Sequence, residues 1–583
     1  MIHSARDLTE GLVLEADVCI VGAGAAGIAL ALELSGNGVR SGAGALEVLL
    51  LESGGLEEDA ATQALYEGEV ADTRLHSPPD RYRQRRFGGS TTIWGGRCMP
   101  FDPIDFEPRD YVAHSGWPIG IDALSPYYPA ANRLCEAGEY LYRMDEAVPG
   151  AGPMMDGFVS THFTTDTIER FSCPTDFGAR YGHKLRAARN VRVVLHANVT
   201  AIDLDASGAA VESVQVRTLE GRRLKARARR FVLAAGGLEV ARLLLASRDR
   251  HPEGIGNRHD VVGRYYMCHL AGTIGSLRFD GPLSAVHHGY DVSEEGIYCR
   301  RRIALTAQTQ RALSLGNFIA RLHHPRITDP AHRNAVLSLL FLAKLFIPYE
   351  YAKRLYGEQK TPLADWARHA GNVASAPWDA VAFAWHMLRD RKLAARKFPS
   401  IIIRSRANLY SLDFHAEQQP NPESRLTLTD RLDALQVPQL RVDWRYTQAD
   451  VDTVRRALAL LAQDIGASGI GRFEFDPEQV ELEMTRYGAY GGHHIGTARM
   501  GTDPRTSVVD ADCRVHEVGN LFIASAAVFP TSSQANPTLT IVALALRLAA
   551  HLKAAALRDA APATSLGTMP APPVPAGAAV PQT

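Results

Sequence analysis

The chain of 583 residues carries 63 Lys and Arg against 64 Asp and Glu, a formal net charge of −1, with 46% apolar and 22% charged residues. That length predicts more than one structural region and a large core, and the even charge balance argues against nucleic acid or an acidic membrane surface as an electrostatic partner. Seven widely spaced cysteines with no C-x-x-C pair exclude a thiolate zinc site or disulfide framework as the organising principle.

Met1 to Ala16 carries Asp7, Glu10 and Glu15 and no apolar stretch, so it does not read as a secretory signal. Asp17 to Val21 predicts a short buried strand, Gly22-Ala23-Gly24-Ala25-Ala26-Gly27 a turn, and Ile28 to Leu34 a helix. A Gly/Ser-rich loop, Ser35 to Ala45, leads to a second strand, Leu46 to Leu51, closed by Glu52. Val191 to Leu204 and Val211 to Arg217 read as strands with a turn at Glu220-Gly221, and Phe231 to Gly237 as a buried strand entering a Gly turn before a helix, Leu238 to Ser247. Residues 334–397 are helical in pattern, Arg425 to Val442 returns to strand and turn, and Asp450 to Ile465 is an amphipathic helix. Asn520 to Ala524 reads as an apolar strand and Pro537 to Leu552 as a long apolar helix. Beyond Ala560 the Ala/Pro composition predicts disorder. No apolar run reaches the roughly eighteen residues of a membrane span.

Gly22-x-Gly24-x-x-Gly27 directly follows a strand and opens a helix, the context in which it binds a dinucleotide. The first glycine allows the tight turn, the second the approach of a pyrophosphate, the third close helix–strand packing. The free N–H groups of the helix start attract the phosphates. Glu52 then offers a carboxylate to a ribose diol. The loop stretches the usual spacing of about 20 residues, and the motif alone does not separate FAD from NAD.

Three further segments do. Arg86-Phe87-Gly88-Gly89-Ser90-Thr91-Thr92-Ile93-Trp94-Gly95-Gly96, Phe231 to Gly237, and Gly491-Gly492-His493-His494-Ile495-Gly496-Thr497-Ala498-Arg499-Met500-Gly501 continuing to Asn536-Pro537-Thr538-Leu539-Thr540 resemble, in order and placement, the signatures of the glucose–methanol–choline (GMC) flavoprotein oxidoreductases. The likeness is nearest to the pyranose 2-oxidase and bacterial FAD-linked sugar dehydrogenase branch, strong in the flavin half and weak from about 270 to 480. It implies an α/β (α+β) fold: a Rossmann-like FAD-binding domain of GMC type in pieces at 14–110, 171–268 and 486–556. A lid or linker would lie at 111–170, a substrate-binding domain with a helical insertion (about 334–397) at 269–485, and a disordered tail at 557–583.

It also implies the cofactor contacts: Gly22, Gly24, Ala25, Ala26, Gly27, Glu52, Ser53, Arg86, Gly88, Gly89, Ser90, Thr92, Trp94, Gly95, Val199, Ala235, Gly236, Ser525, Ala526, Asn536, Pro537 and Thr538. Ser525 stands where many members carry Asp. Ile93 stands where pyranose 2-oxidase has the His that bonds FAD covalently, so FAD is expected to be non-covalent.

Taking hydride from an alcohol needs a base for its proton, and neutral imidazole suits that task. The family position, three residues before the Gly of His-x-x-Gly-Thr, is His493. Its partner is Asn536, placed to orient the substrate oxygen. His494 is the rival, although neighbours on an extended segment face opposite ways. The pairs His287-His288 and His323-His324 lack recognisable metal spacing, and no metal is expected. Arg81, Arg83, Arg85 and Arg86 read as a solvated basic face, with FAD phosphates or an anionic substrate as the alternative. Residues 335–348 (AVLSLLFLAKLFIP) are open to three readings: a buried substrate-domain helix, a membrane-interface segment with Lys344, Lys353 and Arg354 snorkelling, or a partner-docking element.

The expected enzyme oxidises a CH–OH group of a small alcohol, sugar or glycoside. Its electron acceptor is open between O2, a quinone and a redox partner, and its location is cytoplasmic with optional peripheral membrane contact. The rivals are a lyase that keeps FAD without net redox chemistry and a non-catalytic flavin-bound assembly protein.

Overall fold

The computed structural model describes residues 1–35, 46–343, 362–394, 396–399, 402–403, 408–486 and 489–560. The loop at 36–45, Lys344, Lys353, Arg354 and the rest of 344–361, and the Ala/Pro tail beyond 560 lie outside the described residues.

One sheet organises the first half. Its order is Ile2–Ser4, Val191–Leu195, Val48–Leu51, Val13–Val21, Arg223–Leu233, Val211–Arg217, Asn198–Leu204, and Leu521–Ile523 pairs with the far end of Arg223–Leu233. The central strands are parallel, and their ends nearest the cleft are apolar and buried (Val18–Val21, Val48–Leu51, Phe231–Leu233), as parallel strands covered on both faces must be. Their register is decisive: Val21 pairs with Leu51 and with Leu233, and Leu233 pairs with Ile523. Four strands therefore end level. The turns that follow them, beginning at Gly22, Glu52, Ala234 and Ala524, share one rim, where open parallel sheets bind ligands.

Ala25–Ser35 covers this sheet and packs against Thr538–Ala560, which also packs on Tyr128–Leu134. Thr538–Ala560 is long and apolar enough to cross a membrane, yet Leu539, Val542, Leu546 and Ala549 are buried in the core. Sequence boundaries shift by a few residues, as frayed ends predict. The expected strand over Val191 to Leu204 is two, Val191–Leu195 and Asn198–Leu204.

A second, antiparallel sheet runs Gly471–Glu474, Met267–Phe279, Leu409–Ala416, Phe318–His323, Ile303–Leu305, Phe163–Thr164, and Tyr490–Ile495 adds to Met267–Phe279. It alternates sharply. Leu409–Ala416 puts Tyr410, Leu412 and Phe414 into the core and Ser411, Asp413 and His415 on the other face. Cross-strand register aligns Asp413 with Thr273 and Arg321.

The helical insertion comprises Ala335–Leu342, Leu363–Ser375, Pro377–His386 and Met387–Lys392. Of the three readings for its first segment, the structure selects the buried helix for the described part: Ala335, Val336, Leu337 and Phe341 are buried, and Phe341 packs on Trp366. The exposed apolar surface lies elsewhere, on Trp378, Val381, Trp385 and Leu388.

Candidate active site

A cleft of about 1760 Å³ opens at the level strand ends and reaches the polar face of the second sheet. That exceeds the roughly 300–1,000 Å³ of a pocket for one small ligand. Gly22, Gly24, Ala25, Ala26, Glu52, Ser53, Gly89, Ser90, Trp94, Gly95, Val199, Ala235, Gly236, Ser525, Ala526, His493, Asn536, Pro537 and Thr538 all line it.

The remaining expected contacts do not. Gly27 is a packing residue: a Cβ there would stand 1.9 Å from the Gly22 carbonyl oxygen. Gly88 has φ 97° and abuts Asp176 and Gly178. Thr92 turns its hydroxyl back to the Gly89 carbonyl, 2.9 Å away, and Arg86 is tied to the Leu56 carbonyl and Glu57. The basic run divides. Arg81 is exposed, whereas the Arg83 and Arg85 side chains are 8% and 10% exposed, each 3.1 Å from Glu239, and both guanidiniums stack over Tyr66. The expected solvated face fails for those two because Glu239 supplies the counter-charge that lets them leave solvent.

The floor suits a dinucleotide. At Gly24, Gly95 and Gly236 a Cβ would meet nothing within 4 Å, so each backbone stands bare toward the cleft. Glu52 accepts from the backbone N–H of Ala23 (2.8 Å) and Gly54 (2.9 Å), which fixes the carboxylate at the strand end. Burial pushes its proton affinity up. Gly237 seats this floor against the histidine strand, since a Cβ there would lie 2.2 Å from the His494 carbonyl oxygen.

His493 and His494 both line the cleft, but they take different partners. The His493 ring meets His269, Nδ1 to Nδ1 at 2.7 Å, and its Nε2 lies 3.1 Å from the Asn536 amide nitrogen. The tautomers follow from the partners. His269 Nε2 is 3.2 Å from the Ser532 carbonyl, which only accepts, so that nitrogen donates and His269 Nδ1 is a lone pair. His493 Nδ1 must then carry the proton, which leaves Nε2 basic and accepting from Asn536. Burial holds His269 down to about 4 and, with His269 and Arg97 nearby, holds His493 well below the usual imidazole range. Both are neutral at pH 7.

A parallel chain sits on the other side of the strand. His76 Nδ1 donates to the Ser77 carbonyl, the Tyr266 hydroxyl donates to His76 Nε2 (2.8 Å), and His494 Nδ1 donates to the Tyr266 oxygen (2.7 Å). His494 Nε2 is left buried without a partner among the described residues. His76, Cys268 and His494 bring ligand atoms within 4.8 Å of one another. The Tyr266 hydroxyl stands among them and bonds all three (3.2 Å to Cys268), so the group is a hydrogen-bond hub.

Residues 17–339 match the family model described as FAD dependent oxidoreductase. The chain belongs to the FAD-dependent oxidoreductases. Its residues 420–545 match the GMC oxidoreductase model, which makes it a GMC-type member. It is 26% identical to the fructose dehydrogenase large subunit of Gluconobacter japonicus, over 92% of this chain and 97% of that one. It is 26% identical to paromamine 6'-oxidase of Streptomyces fradiae, over 91% and 90%. Among solved structures, pyridoxine 4-oxidase from Mesorbium loti shares the fold at a TM-score of 0.54 and 20% identity, covering 92% of this chain and 98% of its own.

In this flavoprotein the residues that sequence reasoning missed come from the second sheet. His269, Thr273, Asp413, His415 and His323 point from alternate positions of three paired strands toward the cleft side, where Thr273, Asp413, His415 and His323 line the cleft itself. The signal was present as the alternation Ser411-Leu412-Asp413-Phe414-His415-Ala416, whose polar members occur at every second residue of a buried strand.

Proposed function

We propose that the enzyme oxidises a CH–OH group of a sugar or glycoside, with His493 Nε2 as the proton acceptor. The observation that supports this most directly is the basic Nε2 of a neutral, buried imidazole facing Asn536 at the inner end of a dinucleotide-sized cleft. Bound FAD supplies the hydride acceptor, and with Ile93 at the first signature we take it to be held non-covalently by Gly22–Ala26, Glu52 and the Gly95 and Gly236 turns. His493 removes the hydroxyl proton as the substrate oxygen replaces the Asn536 amide at Nε2. The amide then donates to that oxygen and fixes which C–H faces the flavin. Relatives named for fructose and paromamine support a polyhydroxylated substrate.

Anaerobic mixing with a panel of sugars tests the reading. Loss of flavin absorbance supports oxidation. Product formed under an unbleached flavin would instead establish the lyase reading, and no reaction with a yellow protein the non-catalytic one. Reoxidation by air, quinone or a cytochrome identifies the electron acceptor.

The cellular setting we propose is cytoplasmic with peripheral membrane contact. The contact moves from 335–348 to the exposed stripe Trp378, Val381, Trp385 and Leu388, because interfacial helices present Trp and Leu beside basic residues. Six Lys and Arg against three Asp between 362 and 399 supply the charge.

A further inference from the structure

Two sheets bring five charges together at the substrate end of the cleft, four of them buried and Arg97 half-buried. Arg97 pairs in register with Phe171, and Arg300 with Glu169, on the sheet Tyr290–Val292, Tyr298–Arg301, Ile168–Phe171, Arg97–Cys98. Arg321 and Asp413 come from the second sheet. Glu169 is committed to Arg321, which clasps it with two nitrogens and also reaches Asp413 at 3.3 Å.

Three guanidiniums thus share two carboxylates, which leaves one positive charge in excess, and Arg97 and Arg300 hold the looser contacts. Arg97 stands 3.6 Å from Glu169 and makes no side-chain hydrogen bond among the described residues, its plane over Phe171 at 5.9 Å. Arg300 donates to the Leu322 carbonyl at 2.8 Å and has no ion pair among the described residues. Both line the cleft that holds His493. Burial, with the Arg321 guanidinium nearby, lowers the proton affinity of Arg97 although Glu169 lies 3.6 Å away.

We propose that Arg97 and Arg300 bind a carboxylate carried by the substrate, so that the enzyme takes a sugar acid in preference to the neutral sugar. This rests on the proposed CH–OH oxidation and names its substrate class. A planar guanidinium receives a carboxylate with two parallel N–H bonds, and that geometry fixes direction as well as affinity. Asp413 also lines the cleft, but its charge is spent on Arg321. An anion bound at the Arg pair holds one end of a polyol while a hydroxyl further along reaches His493, which turns the distance between the two sites into a choice of carbon.

The test uses the FAD-loaded enzyme under anaerobic conditions with D-gluconate, D-glucuronate, D-glucose 6-phosphate and D-glucose, following flavin reduction. At least one carboxylate is expected to half-saturate reduction at a concentration ten-fold or more below that of D-glucose. Arg97→Met and Arg300→Met should raise that concentration about 10- to 100-fold more for the acid than for D-glucose. Binding of malonate, which has no CH–OH group, gives a second readout: it should perturb the flavin spectrum of the parent enzyme and not of Arg97→Met.

D-Glucose as the best substrate, a clear preference for the phosphate, or equal losses for acid and neutral sugar in the variants would each overturn the proposal. The last would make the pair part of the flavin's own surroundings. If no sugar reduces the flavin, the proposed oxidation fails, while malonate titration still decides the anion site. Should Arg97→Met not fold, Arg97→Lys and the parent substrate panel decide it.

Discussion

At Gly27 an added methyl group would lie 1.9 Å from a backbone oxygen, whereas along Pro377–His386 two tryptophans stand 79% and 60% exposed. The flavin half and the helical insertion differ in what their residues must accommodate. Every turn on the rim of the parallel sheet is held on one side by backbone and on the other by the cleft, so residue choice is narrow. The insertion reaches the body through Arg396, which donates to the Phe171 and Glu136 carbonyls, and lends Pro362, Asp365 and Arg391 to the cleft, while Trp378, Val381, Trp385 and Leu388 face outward. Change should therefore abolish function on the rim and barely register on that outward stripe.

The largest expected effect is at Gly24. A Cβ there projects into open cleft, so Gly24→Leu should fold with unchanged far-UV circular dichroism yet purify colourless. A yellow, active Gly24→Leu protein would remove the rim from the cofactor site. Next comes His493→Ala, which should keep FAD and slow flavin reduction about 10² to 10⁴-fold. A normal rate in stopped flow would dismiss His493 as the base.

His269 ranks third. His269→Phe removes an orienting bond of about 1–3 kcal/mol, or about 5- to 150-fold in flavin reduction, and frees the His493 ring to take either tautomer. His269→Gln, which can still accept from Nδ1, should recover part of the rate. The pH profile separates this from a packing defect. Because His493 is held well below the usual range, the parent rate should stay flat as pH falls through 6.5 and decline only at lower pH, where Nε2 gains its proton. A break at or above 6.5 would contradict the buried neutral pair.

The smallest effect is expected on the insertion. Trp378→Ser with Trp385→Ser should change stability by less than about 0.5 kcal/mol each and leave flavin reduction intact, while lowering co-sedimentation with anionic vesicles. Undiminished co-sedimentation would retire the membrane contact, and a large drop in melting temperature would show the stripe to be buried by something.

The same contrast explains what could be read from the chain. Gly22 to Gly27 and Glu52 could be proposed from spacing and local chemistry, and His493 and Asn536 from their place in motifs that resemble the GMC signatures. That the two imidazoles take different partners follows from strand geometry. His269 and Arg97 were not legible, because their roles arise from register between strands hundreds of residues apart in sequence. Arg83 and Arg85 misled for a related reason: a run of four arginines within six residues gives no hint of Glu239, 156 and 154 residues away, which lets two of them be buried. In the insertion, the apolar run at 335 and the aromatic stripe at 378 look alike as composition, and only packing separates the buried one from the bare one.

Tyr490–Ile495 is an edge strand whose ladder to Met267–Phe279 is already irregular, jumping between Met267 and His269. Sliding it by one residue toward its N-terminus would bring His494 to Asn536 and Ile495 to Tyr266. A single deletion upstream of Gly491 could thus hand the role of base to the neighbouring side chain while leaving every motif in place to the eye. Length in that short stretch, more than identity, guards the chemistry.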